Sequence, residues 1–197
     1  MRLTGLFLLL CLALLTLALH RAASPAAAGT RDLRLSTIAG ELARRHVSIR
    51  CEGSSGNLTG VDGSSGRTEF LNGKPASVAY LQEGICQLLH RYSRETKSGL
   101  CSLACNEPLQ LAWSLNALAH ESYHLAGVRN EAETECYALQ AINFVARRLG
   151  AAPAEASELA AFAFTQLPSR MPPAYSSPQC RRGGRYDLGR ANPVWPS

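Results

Sequence analysis

The chain has 197 residues, 46% hydrophobic and 18% charged, with 20 Lys and Arg against 15 Asp and Glu for a net charge of +5. Beyond a leader-like start, that leaves enough chain for one domain around one core. No Lys/Arg stripe with interleaved aromatics runs through it, which argues against a nucleic-acid partner.

Met1 and Arg2 make a short positive start, followed by the apolar run "LTGLFLLLCLALLTLAL" and the small-residue tract around Ala26 to Ala28. That order reads as a secretory signal peptide over residues 1–28. An uncleaved anchor is the alternative, since about 17 apolar residues just span a bilayer. Once the leader is removed, no membrane partner is expected and the protein is expected outside the cytoplasm. Removal takes away Arg2 and Arg21 and no acidic residue, lowering the charge from +5 to +3. Six of the seven cysteines remain: Cys51, Cys86, Cys101, Cys105, Cys136 and Cys180. An even count behind a leader implies an oxidising compartment and up to three disulfides, with the pairing open.

Residues 36–46, "STIAGELARRH", carry a capping serine and helical spacing, which predicts a short helix. "HVSIRCE" alternates and predicts a strand. "GSSGNLTGVDGSSG" is a loop containing the glycosylation sequon at Asn57, and "RTEFL" predicts a second strand ended by the turn "NGKP". Residues 76–92 place Val78, Leu81, Ile85, Leu88 and Leu89 at helical spacing, which predicts a helix. A long helix is expected from Pro108 to Ala126, stopped by Gly127. Asn130 can cap the next, from Glu131 to Leu149, which stops at Gly150. "PAEASELAAFAFTQL" predicts a last amphipathic helix. The expected organisation is residues 29–167 as one domain and 168–197 as an irregular tail pinned by Cys180. The expected fold is mostly helical α+β, with a short strand pair on three or four helices and the hairpin 108–149 at its centre. No edge strand for a docking peptide is evident.

The chemistry concentrates in "LNALAHESYHLAGVRNEAETECYALQ", residues 115–140. His120 and His124 are one helical turn apart, so both imidazoles project from one face and can hold one metal ion. Glu121, beside the first histidine, is placed to address a water and not the metal. This is the HExxH arrangement. A catalytic zinc site needs a third protein ligand and an open position.

The motif and the segment after it resemble the HExxH zinc metallopeptidases (zincins), and among them the branch with a glutamate as third ligand. Asn130-Glu131-Ala132-Glu133-Thr134-Glu135 is close to the Asn-Glu-x-x-Ser-Asp of thermolysin-like members. Glu131-Ala132-Glu133-Thr134-Glu135-Cys136-Tyr137-Ala138 shares its phasing with a segment of small peptidases that cleave transcriptional repressors. The resemblance covers about residues 117–138. It implies His120, His124 and Glu131 as ligands of Zn2+, Glu121 as the general base, and Glu135 as an acceptor for a ligand histidine's other N–H. It also implies a peptide or protein substrate. Glu135 stays open as the third ligand instead of Glu131. Asn130 stands where the histidine-liganded branch has its third histidine.

Other readings fit the same residues. Glu131 and Glu133 suit a helical N-terminus, where acids are favoured. Tyr123 and Tyr137 suit core packing, His90 suits the surface, and Cys136 suits a disulfide locking the second site helix. The whole reads as a secreted zinc-dependent metallopeptidase-like protein. The alternative is a non-catalytic extracellular binding module stapled by zinc or disulfides, for which Glu135 or Cys136 could close the metal site.

Overall fold

A computed structural model of the chain describes residues 29–53, 65–99, 103–189 and 195. The leader, the Asn57 sequon and Cys101 lie outside the described residues. Strand β1 (Thr30–Asp32) leads into helix α1 (Leu33–Ala43) and strand β2 (Ser48–Glu52). Strands β3 (Gly66–Leu71) and β4 (Lys74–Gln82) form a hairpin, and helix α2 (Glu83–Ser98) follows directly. Helices α3 (Leu103–Asn106), α4 (Pro108–Leu125), α5 (Glu131–Leu149) and α6 (Pro153–Gln166) come next, then two 3-10 turns, Pro168–Arg170 and Pro173–Tyr175. The fold is mostly helical α+β, with the histidine pair on α4.

Helix α4 sits in the middle. It packs against α1, α2, α5 and α6 and against strands β3 and β4. Every residue from Ser114 to Leu125 is buried, so this helix is enclosed around its whole girth. An enclosed helix tolerates polar side chains only where they find partners, and here they gather on the side facing β3 and α5. Its turn into α5 is made by Gly127 at φ 104°, a conformation that favours glycine. Asn130 then caps α5, its side chain accepting from the Glu133 N–H at 2.9 Å. The short connection folds α5 back along α4.

The strand pair is part of a larger sheet with the order β1-β2-β4-β3. β2 and β4 are parallel, and the outer pairings are antiparallel. Two expectations need correction here. Residues 76–82 are strand and not helix, and the helix starts at Glu83. Buried Ala79 and Leu81 alternate with less buried neighbours, and a short segment satisfied both periods until β2 and β3 supplied partners. Helix α1 also starts earlier than Ser36. Asp32 caps it, accepting from the Leu35 N–H at 2.9 Å. The Ser36 hydroxyl instead accepts from the Ile49 N–H at 2.8 Å and donates to the Asp32 carbonyl, joining α1 to β2.

Two disulfides fasten the periphery. Cys51–Cys86 ties β2 to α2, and Cys136–Cys180 ties α5 to the tail. Cys105 is disulfide-bonded as well. The tail is further clamped by Gln140, which donates to the Tyr186 carbonyl at 2.8 Å and accepts from the Leu188 N–H at 2.8 Å. Trp195 packs on Phe164, ring centroids 5.1 Å apart.

Candidate metal centre

His120 and His124 lie on the buried face of α4 and Glu131 opens α5. Glu131 Oε2 is 3.1 Å from His120 Nε2 and 3.3 Å from His124 Nε2, and all three donor atoms lie within 4.8 Å of one another. Tetrahedral zinc with bonds near 2.0–2.1 Å sets its ligand atoms about 3.3–3.4 Å apart. The two measured edges are close to that value, so the three donors fit such an ion.

The outer ring nitrogens are held too. His120 Nδ1–H donates to Glu135 Oε2 at 3.1 Å, and His124 Nδ1–H donates to the Val128 carbonyl at 2.8 Å. Those bonds make Nδ1 the donor in both rings and turn the Nε2 atoms toward Glu131. Glu135 is itself gripped by Asn116, whose Nδ2 lies 3.0 and 3.1 Å from its two oxygens. Two ring nitrogens and a carboxylate oxygen at these distances can share a cation, either a metal ion or a proton on His120 Nε2. With no metal bound, burial alone would lower the His120 pKa, but the hydrogen bonds to Glu131 and Glu135, with the charges of Glu135 and Glu121, outweigh it and raise it to about 10. The same His120 contact holds the Glu131 carboxyl below the ordinary glutamate value.

Glu121 lies beside the histidines, on the side of α4 toward β3. It is 6% exposed. Burial pushes its pKa up, against the pull of His120, the Thr68 hydrogen bond and His124. Thr68 Oγ1 of β3 donates to Glu121 Oε2 at 2.7 Å. β3 crosses so near that Gly66 has no room for a side chain. A methyl group there would come within 2.8 Å of Glu121 Cγ, 2.9 Å of Leu81 Cδ2 and 2.9 Å of the Tyr80 carbonyl oxygen.

A cleft of about 360 Å³ opens over these residues. β3, at the sheet edge among the described residues, forms one wall, which corrects the expectation that no edge strand is at hand. Met171, Pro172 and Tyr175 of the tail line the cleft as well. The Tyr175 ring stacks on His120, centroids 5.6 Å apart.

The remaining candidates lie elsewhere. His90 Nε2 contacts the Asp32 carboxylate, away from the metal group. Tyr123 and Tyr137 pack on each other at 5.4 Å, and the Tyr137 hydroxyl donates to Glu133. Cys136 is spent in its disulfide and Glu135 on Asn116 and His120, so neither closes the metal group. Among the described residues that group has three members. Reading the sequence missed Thr68, Gly66, Asn116 and Tyr175. Only Asn116 left a local signal, one helical turn before His120 on the same face.

Two histidines of one helix meet a glutamate of the next in a cluster that could hold a metal ion, an arrangement similar to that of the zincins. No protein-family model, curated protein or solved structure matches the chain.

Proposed function

We propose that the protein is a secreted zinc metallopeptidase of the HExxH type with a glutamate as third ligand. The observation that carries this reading is the convergence of His120 Nε2 and His124 Nε2 on one oxygen of Glu131, beside a buried Glu121. The leader-like first 28 residues and the disulfides support an extracytoplasmic location.

His120, His124 and Glu131 would hold the metal, leaving one position open as catalytic sites do. Zinc at such a site lowers the pKa of a coordinated water to about 7 and polarises a carbonyl oxygen. Glu121 accepts the proton of the attacking water and hands it to the departing amine nitrogen, which a buried carboxylate of raised pKa is suited to do. Thr68 keeps the Glu121 carboxylate from turning away. Glu135 and Val128 hold the two imidazoles in register. The outer edge of β3 offers main-chain N–H and C=O groups, and an extended peptide can pair with them as an added strand.

The test is the metal content of the full chain by elemental mass spectrometry, beside His120→Ala, Glu131→Ala and Glu121→Gln. The expected result is one zinc per chain, lost or much weakened in the first two and retained in Glu121→Gln. Glu121→Gln should also abolish cleavage of a mixed peptide library. A metal-free wild type, or cleavage that survives Glu121→Gln, would overturn the reading.

A further inference from the structure

The cleft has a direction. At one end Trp113 Nε1 donates to Ser65 Oγ, just before β3 begins. Thr68 meets Glu121 in the middle. At the other end the Phe70 ring meets His124 edge-on, centroids 6.0 Å apart. The Arg129 guanidinium lies over Phe70, 5.3 Å from the ring centroid.

Two arginines line this cleft, in different states. Arg67 is engaged, bound through both terminal nitrogens to Glu52 and stacked 4.2 Å over Tyr80. Arg129 has no carboxylate partner among the described residues. Glu131, two positions on, has turned its carboxylate to the histidines. Arg129 is therefore an exposed guanidinium, steadied by an aromatic face at the cleft rim, with its hydrogen-bond donors uncommitted to any acid. Such a fork matches a carboxylate.

We propose that Arg129, seated on Phe70, selects a carboxylate on the bound peptide, making acidic peptides the substrate class. The proposal rests on the peptidase reading. An extended chain advances about 3.3 Å per residue. The steps of 6.0 Å from His124 to Phe70 and 5.3 Å from Phe70 to Arg129 thus place that carboxylate within about three residues of the scissile bond. It can belong to an Asp or Glu side chain or to the peptide's C-terminus.

The test measures binding, so that it does not depend on turnover. Labelled decapeptides of one sequence, bearing Glu, Gln or Lys at each scanned position and a free or amidated C-terminus, are titrated into the zinc-loaded Glu121→Gln protein at low salt. Fluorescence anisotropy reads the affinity. At one position Glu should bind on the order of tenfold more tightly than Lys, the effect of one charge-assisted pair. Arg129→Glu should reverse that order and Arg129→Gln should level it, with zinc content retained in both. Tighter binding of the free-acid than of the amidated peptides, whatever the scanned residue, assigns the carboxylate to the C-terminus. Equal binding of the Glu and Lys peptides together with no effect of amidation, no peptide binding at all, or a preference that survives Arg129→Gln would overturn the proposal. Failure of the peptidase reading shows separately, as intact peptide after incubation with the Glu121-containing protein.

Discussion

Replacing Gly66 with alanine adds one methyl group where β3 crosses Glu121. That carbon would lie 2.8 Å from Glu121 Cγ and 2.9 Å from the Tyr80 carbonyl oxygen, both well inside van der Waals contact. The Glu121 side chain can swing, but the Tyr80 carbonyl is backbone in the middle of the sheet. Either β3 moves outward or Glu121 leaves its place beside Thr68. Overpacking of this kind costs about 1–3 kcal/mol, which for a domain of this size lowers Tm by about 3–10 °C. If Glu121 is the proton carrier, a shift near 1 Å lowers kcat by about a hundredfold. The metal ligands are not touched, so zinc content should hold at one per chain. Calorimetry, elemental analysis and peptide cleavage would be read on the same preparation. Gly53→Ala is the control, because among the described residues no atom beyond its chain neighbours lies within 4 Å of its added carbon. Its stability should change by no more than about 0.5 kcal/mol. If Gly66→Ala matches Gly53→Ala in both Tm and kcat, the close crossing of β3 over Glu121 is not as described and the argument fails.

Thr68→Val removes the 2.7 Å hydrogen bond to a buried carboxylate. Cleavage should fall by about tenfold or more with zinc content intact; unchanged kcat/KM would deny Thr68 its role. Glu135→Gln removes the charged acceptor of His120 Nδ1–H, and zinc affinity in a competition titration should weaken by about 10–100-fold. The Cys136–Cys180 bridge closes a loop with a sequence separation of 44. Replacing both cysteines with alanine should lower stability in denaturant by up to about 4 kcal/mol, and a loss below about 1 kcal/mol would mean the tail is held without it. The Asp187 carboxyl is held below its ordinary value of 3.8 by hydrogen bonds from the backbone N–H groups of Gly183 and Gly189. Its contribution is therefore present above that value and lost as the pH falls through the lower folded one. Protection of those two amides from hydrogen exchange should drop in Asp187→Asn at neutral pH and in the wild type at acid pH. Equal protection throughout would show the loop is ordered by other contacts.

His120, Glu121 and His124 were legible because an α-helix converts spacing directly into direction. Four residues make one turn, and a run too apolar for the surface had to carry that turn inside. Gly127 and Asn130 marked the break before the second helix for equally local reasons, a positive φ and a side-chain cap. Between Glu131 and Glu135, spacing on α5 could not decide, because both sit on the same face one turn apart. The choice depends on how deeply α5 slides along α4. In the folded chain Glu131 meets the two Nε2 atoms, while Glu135 lies behind His120 against Asn116.

The strand at 76–82 was hidden because a sheet is made between segments. Ala79 and Leu81 carry the period of a strand only once β2 and β3 lie on either side. The tertiary structure alone decided that β3 would form the cleft wall, that Gly66 must stay bare, and that Thr68 would reach Glu121 across a gap of 53 residues. The Tyr175 ring over His120 belongs to the same group, delivered by a tail that a disulfide and Gln140 hold to α5. Local periodicity and capping depend on neighbours a few residues apart, so the sequence by itself determined the helix hairpin and the donors it carries. What surrounds those donors comes from chain segments far apart in sequence, and only their packing brings them together.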